Sequence, residues 1–223
     1  MDRFCALIPA LNEAAHIGDV VRGARPYVET VLVVDDGSTD STAAAAEEAG
    51  AVVLRHQTNL GKGCALDTGI KWATEKGYDA VITLDADGQH LAVEIPHLTE
   101  AFIKHRPDIV LGTRMGNCRG MPLVRKMTNR VTSFFVSMLA GKRITDSQSG
   151  YRLLKCDTAC KLTTRSSRFD AESEILVKAC REGMAIREVT VSTVYGDEKS
   201  KIHPFRDTVR FISLMLRLMF VER

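Results

Sequence analysis

Residues 30–42 read T-V-L-V-V-D-D-G-S-T-D-S-T and are followed by an alanine-rich stretch that ends at Gly50. Thr30 to Val34 is a continuous apolar run of the kind that strands buried on both faces require. Ser38, Thr39, Asp40 and Ser41 offer helix N-cap side chains, and the alanines after them favour helix. A buried strand, a short polar loop and a helix together make half of a βαβ unit.

The same alternation continues in both directions. Residues 3–8 are strand-like up to Pro9, and residues 13–25 carry Ile17, Val20 and Val21 at helical spacing. Downstream, 51–54 reads as strand and 61–76 as helix. A strand at 79–84 delivers Asp85 at its carboxyl end, followed by a helix at 96–105 and a strand at 108–112. Residues 113–150 are basic and less regular, with a helix expected over 123–140. A helix at about 170–182 and a strand at 186–194 follow. The expectation is one α/β domain over residues 1–203, a mostly parallel sheet with helices on both faces, and an amphipathic helix over 204–223.

Composition narrows the function. The chain has 223 residues, 45% hydrophobic and 26% charged, enough for a sizeable core. A formal charge of +2 is too small for a general nucleic-acid binder. Six cysteines at 5, 64, 118, 156, 160 and 180 form no C-x-x-C pair and no secretory leader precedes the first strand, so reduced thiols in the cytoplasm are expected. His203, Cys156 and Cys160 read as structural. No apolar run reaches the roughly 20 residues that span a bilayer.

In parallel α/β sheets, ligands collect beyond the carboxyl ends of the strands. Four polar clusters fall there: Pro9-Ala10-Leu11-Asn12-Glu13, Asp35-Asp36-Gly37-Ser38, Gly61-Lys62-Gly63 and Asp85-Ala86-Asp87-Gly88-Gln89-His90. If the fourth strand stays extended, Asp85 and Asp87 project to one side, with Gln89 next on the same alternation. Such oxygens suit Mg²⁺ or Mn²⁺ completed by substrate phosphates. Asp and Gly also make ordinary turns, and D-x-D alone would favour that reading. A P-loop is excluded because G-x-x-x-x-G-K-[ST] is absent.

Five motifs in order, I-P-A-L-N-E at 8–13, V-L-V-V-D-D-G-S-T-D-S-T at 31–42, G-K-G-C-A-L at 61–66, D-A-D-G-Q-H at 85–90 and S-Q-S-G-Y-R at 147–152, resemble the GT-A fold glycosyltransferases of family 2. Within that family they look most like the dolichyl-phosphate mannose synthase and polyprenyl-phosphate glycosyltransferase branch. The resemblance implies inverting transfer of a hexose from a GDP- or UDP-sugar to a dolichyl or undecaprenyl phosphate at a membrane surface. It sets Pro9, Leu11, Glu13, Val34 and Asp36 around the nucleoside, Asp85, Ala86, Asp87 and Gln89 at the metal and diphosphate, and Lys199 on a phosphate. It also sets Arg114 and Arg125 on the acceptor phosphate, with Asn129 where a serine stands in one arrangement, and gives Gln148 and Ser149 to the loop nearest the acceptor. Thr193 replaces an arginine of the archaeal pattern, which argues against GDP-mannose as donor.

A phosphate-monoester oxygen is already anionic at neutral pH, its second pKa being about 6, so such an acceptor needs no strong base. The task is alignment and leaving-group stabilisation, with Asp87 and Arg114 as the central residues. Positive charge on the acceptor side is then required, and the run Arg114, Arg119, Arg125, Lys126 and Arg130 offers it. A solvated basic helix face accounts equally well for any one of them, but Arg114 is favoured for function at its strand end and Lys126 reads as surface. A hydroxyl acceptor would need a base, for which Glu172 or Asp170 is the candidate, although Asp170 also suits an N-cap. A sugar nucleotidyltransferase would show a Gly-rich, basic loop after the first strand, and residues 9–13 have neither. Residues 204–223 place Arg206, Arg210 and Arg217 near one helical face, which fits a membrane interface as well as packing on the core or on a second subunit of a homo-oligomer.

Overall fold

The computed structural model describes residues 2–116, 121–162 and 170–193. Lys199, Arg119 and the helix expected over 204–223 lie outside these residues, as does the side chain of Asp170.

The elements follow in the order β1 (Phe4–Ala10), α1 (Ile17–Ala24), β2 (Thr30–Asp35), α2 (Thr42–Glu48), β3 (Val52–Arg55), α3 (Lys62–Glu75) and β4 (Ala80–Thr83). Then come α4 (Ile95–His105), β5 (Ile109–Thr113), α5 (Leu123–Ala140), β6 (Arg152–Lys155), α6 (Cys156–Ala159), α7 (Asp170–Arg181) and β7 (Ile186–Thr190). Among the described residues the strands form one seven-stranded sheet in the order β3-β2-β1-β4-β6-β5-β7. β6 runs antiparallel to both of its neighbours, and the other pairings are parallel. The expected α/β architecture is therefore present.

Alternation along the central strands sorts side chains to the two faces. Ala6, Ile8, Val31 and Val33 pack with Ile17 and Val21 of α1 and Leu98 and Phe102 of α4. Leu7, Leu32 and Val34 pack on the other face with Ala65, Leu66 and Ile70 of α3. A smaller cluster of Leu111, Val136 and Leu176 joins α5 and α7 to the sheet edge.

The α3 face approaches β1 closely because Gly69 has no side chain. A Cβ there would lie 2.1 Å from Leu7 Cδ1, and Leu7 is fully buried. Gly69→Ala should therefore lower stability by about 1–3 kcal/mol through overpacking, despite the better helix propensity of alanine. Urea unfolding monitored at Trp72 would measure it, and an unchanged midpoint would contradict this packing.

Two local expectations are corrected, and one strand is added. Helix α1 begins at Ile17 rather than 13, because Asn12 adopts a left-handed φ of 54° and residues 14–16 turn. β4 ends at Thr83 and the chain turns at 86–88, with Gly88 at φ 75°, so simple extended alternation does not govern Asp85, Asp87 and Gln89. Residues 152–155 are a strand threaded antiparallel between β4 and β5.

Candidate active site

The loops after β1 and β2 are laced together. Asn12 N–H donates to Ser38 Oγ (2.9 Å), Thr39 N–H donates to Asn12 Oδ1 (2.9 Å), and Glu13 N–H donates to Thr42 Oγ1 (2.8 Å). Ser38 N–H in turn donates to Asp35 Oδ1 (2.8 Å). Pro9 and Glu13 are half-buried and Leu11 is exposed at this rim, whereas Val34 lies in the core beneath it.

Asp36 is buried under the next loop. Its Oδ1 accepts from Leu60 N–H (2.9 Å) and contacts His56 Nδ1 (2.7 Å), while Oδ2 accepts from Gly61 N–H (2.7 Å). The acid expected beside the nucleoside thus also fixes the start of α3, and with it Lys62.

Lys62 Nζ lies 2.6 Å from Asp85 Oδ1 and 2.6 Å from Glu172 Oε1, bringing together three residues far apart in sequence. Burial alone would push the Asp85 carboxyl up, but the Lys62 charge beside it, with a smaller contribution from Arg114, holds it well below the usual carboxylate range. Burial would likewise lower the Lys62 ammonium, and the two carboxylates outweigh it and hold it above the usual lysine range. Asp85 is ionised at neutral pH on this account. Asp85 N–H donates to His90 Nδ1 (3.0 Å), and the His90 ring stacks on Tyr151 with centroids 4.9 Å apart. Burial keeps the His90 pKa below its ordinary value, consistent with a neutral ring whose Nδ1 accepts that bond.

Asp87 Oδ1 accepts from Gln89 N–H (3.0 Å), an Asx-type turn that closes over Gly88. Ala86 is buried, and Asp87 and Gln89 are half-buried. Thr193, where the resemblance would put an arginine, pairs with His90 in an isolated antiparallel bridge and so sits beside this turn.

Two of the residues expected on the acceptor side, Arg114 and Asn129, converge on an unforeseen carboxylate. Asp146 is fully buried and accepts from Arg114 N–H (2.9 Å), Arg114 Nε (2.8 Å), Arg114 Nη2 (2.7 Å) and Asn129 Nδ2 (2.8 Å). The pair fixes the plane of the Arg114 guanidinium, with 18% of its side chain exposed. Ser149 is buried, Gln148 is exposed, and Arg125 is half-buried near the start of α5.

Asp146 gives a pH signature. Burial would raise its carboxyl, and the bonds and charge of Arg114 outweigh that and hold it below the ordinary value. A carboxyl whose folded pKa lies below its unfolded value of about 3.9 stabilises the fold above that pH, and the contribution is lost as pH falls through the folded value. The stability difference between wild type and Asp146→Asn should therefore be constant from pH 7 to about 4 and shrink below it. A difference that widens on acidification would refute the assignment.

Residues 146–151 are held from beneath by Arg152, which is 2% exposed. It donates through Nε to Ser149 O (2.8 Å), Nη1 to Glu172 O (2.8 Å) and Nη2 to Ser147 O (3.0 Å). Burial pushes Arg152 down to about 10, so it stays charged at neutral pH. Gly150 is consequently pressed against Asp85, where a Cβ would stand 3.0 Å from Asp85 Oδ1 and 3.3 Å from Lys62 Nζ.

These residues fit a hard divalent cation. Asp85, Asp87 and Gln89 bear oxygens at and beside one turn, Asp85 is already paired with a cation in Lys62, and Gly150 lets the 146–151 loop approach it without a side chain in between. Among the described residues no group of three or more His, Cys, Asp or Glu side chains could hold a metal ion.

A mixed sheet of this order, with acidic loops at the carboxyl ends of its parallel strands, is the GT-A type of nucleotide-sugar fold. Its solved counterparts include glucosyl-3-phosphoglycerate synthase of Mycobacterium tuberculosis in complex with Mn²⁺, UDP-glucose and phosphoglyceric acid. That structure has a TM-score of 0.73 at 20% identity over 97% of this chain and 79% of that one. Residues 5–167 match the model of glycosyl transferase family 2, and the chain belongs to that family. A UDP-N-acetylglucosamine–dolichyl-phosphate N-acetylglucosaminyltransferase of Methanococcus voltae is 33% identical over 215 residues, covering 86% of this chain and 85% of that protein. An undecaprenyl-phosphate mannosyltransferase of Micrococcus luteus is 32% identical over 205 residues, covering 86% and 84%.

Proposed function

We propose that this glycosyltransferase moves a hexose from a UDP- or GDP-sugar to a polyprenyl phosphate, with inversion at the anomeric carbon. The observation that carries the reading is the state of Glu172. The acid best placed to activate a hydroxyl acceptor is 4% exposed and ion-paired with Lys62 at 2.6 Å. An acceptor that arrives as an anion needs no such base.

In this reading Pro9, Leu11, Glu13, Val34 and Asp36 form or support the nucleoside end, and Asp85, Ala86, Asp87 and Gln89 the diphosphate end. A divalent ion held by Asp85, Asp87 and Gln89 would neutralise charge on the leaving diphosphate. Lys62 keeps the Asp85 carboxylate ionised and neutralised before donor arrives. Arg114, oriented by Asp146, and Arg125 face the acceptor phosphate, with Asn129, Gln148 and Ser149 shaping its seat and Lys199 on the donor phosphates. Relatives named for dolichyl- and undecaprenyl-phosphate transfer support the acceptor class.

The test incubates the protein with UDP- and GDP-hexoses, Mg²⁺ or Mn²⁺ and a short polyprenyl phosphate, following products by mass. The expected product is a hexosyl polyprenyl phosphate of inverted configuration. Transfer to a saccharide hydroxyl, with none to the phosphate, would overturn the proposal.

A further inference from the structure

Lys62 already holds the oxygen that a metal ion would want. It opens α3 behind Gly61, and its ammonium lies 2.6 Å from Asp85 Oδ1 and 2.6 Å from Glu172 Oε1. The two carboxylates differ. Asp85 keeps 31% of its side chain exposed and Glu172 only 6%. The second oxygen of Glu172, Oε2, is buried and has no hydrogen-bond partner among the described residues. A buried acceptor in that state is rare in folded proteins and calls for a donor that reaches it in another arrangement of the site.

The frame around this ammonium is pinned. Asp36 Oδ2 accepts from Gly61 N–H and fixes the start of α3, while Arg152 Nη1 donates to the Glu172 carbonyl on α7. Gly150 puts no side chain between the loop and the pair, where a Cβ would stand 3.3 Å from Lys62 Nζ and 3.0 Å from Asp85 Oδ1. The lysine stem, with its several rotatable bonds, is therefore the part that can swing between the two acids.

We infer that Lys62 is a resident counter-ion of Asp85 that excludes a divalent cation arriving alone and yields, turning to Glu172 Oε2, when the cation comes with a nucleotide diphosphate. The inference rests on the placing of the cation at Asp85 in the proposed function. Charge supplies the coupling. A bare divalent cation at Asp85 would sit beside an ammonium in a partly buried site, where like charges a few ångströms apart repel strongly. A diphosphate brings negative charge that offsets both. On turning, the ammonium keeps Glu172 as its partner and the orphaned oxygen gains a donor. A lysine that merely stapled Asp85 to α7 would make the same short contacts, but it would not oppose the metal.

The experiment follows the EPR signal of free Mn²⁺ titrated into the full chain, with and without saturating UDP, and uses no acceptor. Wild type should bind Mn²⁺ alone at least ~10-fold more weakly than with UDP, within the usual range of coupling between two ligands. Lys62→Met should bind Mn²⁺ alone at least ~10-fold more tightly than wild type, because Asp85 is unmasked. Glu172→Gln weakens the place to which the lysine retreats and should weaken Mn²⁺ binding in the presence of UDP. The staple predicts weaker binding in both variants, so the opposite signs decide. Because Lys62→Met leaves Glu172 buried and unpaired, Lys62→Met/Glu172→Gln is measured beside it, and with both charges gone it should again bind Mn²⁺ alone more tightly than wild type. Unchanged or lower affinity for Mn²⁺ alone in these Lys62 variants would overturn the inference and leave the glycosyl-transfer reading standing. Mn²⁺ bound by none of the proteins even with UDP would overturn both.

Discussion

Asp87→Ala is expected to reduce turnover by at least ~10³-fold while leaving the protein folded, the scale typical of losing one preorganised electrostatic contact to a developing charge. The structural part of the loss is small. Within the turn, Asp87 accepts from Gln89 N–H at 3.0 Å, a bond worth about 1 kcal/mol, and Gly88 still supplies the left-handed corner. Asp87→Asn separates the two effects, because an amide oxygen can accept the same bond without the negative charge. Both variants should lose activity alike, and calorimetry should show that both lose Mn²⁺-dependent binding of UDP. Wild-type rates in either variant, or in the native protein with excess chelator, would remove the basis for the proposed chemistry.

The second large effect is on stability. Arg152→Leu fills much of the same volume but leaves the carbonyls of Ser147, Ser149 and Glu172 without their buried donor. Removing one member of a buried charged network typically costs about 3–5 kcal/mol, and for a chain of this size that corresponds to roughly 10 °C in melting temperature. The loop released is the one that sets Gly150 against Asp85, so donor affinity should fall with stability. Scanning calorimetry beside UDP titration measures both. A variant that melts with the wild type would show that the loop does not depend on Arg152.

The parallel half of the fold was legible because its strands are continuous apolar runs and its loops carry capping residues, as at 30–42. β6 was not, since Arg-Leu-Leu-Lys is too short and too charged at its ends to stand out. Its arginine is buried because the carbonyls of Ser147, Ser149 and Glu172 accept its protons. The acidic turn at 85–89 and Arg114 could be read from position after a strand. The Lys62–Asp85–Glu172 contact could not, because nothing local couples residues that distant, although a lysine between two glycines at a helix start was a visible hint. Asp146 was missed beside the noted Ser147–Arg152 motif, yet it is the first acid after the long basic stretch. A lone carboxylate following many cations is the signal that would have found it.

The antiparallel insertion of β6 also has a consequence for synthesis on the ribosome. Strands β1 to β4 emerge in an order that lets them pair among themselves, but when β5 emerges the position between it and β4 belongs to a segment not yet made. The open edge of β4 and the unpaired β5 must wait for residues 152–155. The second half of the sheet therefore closes in one late event, and that waiting period is when the nascent chain is most exposed to aggregation and most in need of chaperone cover.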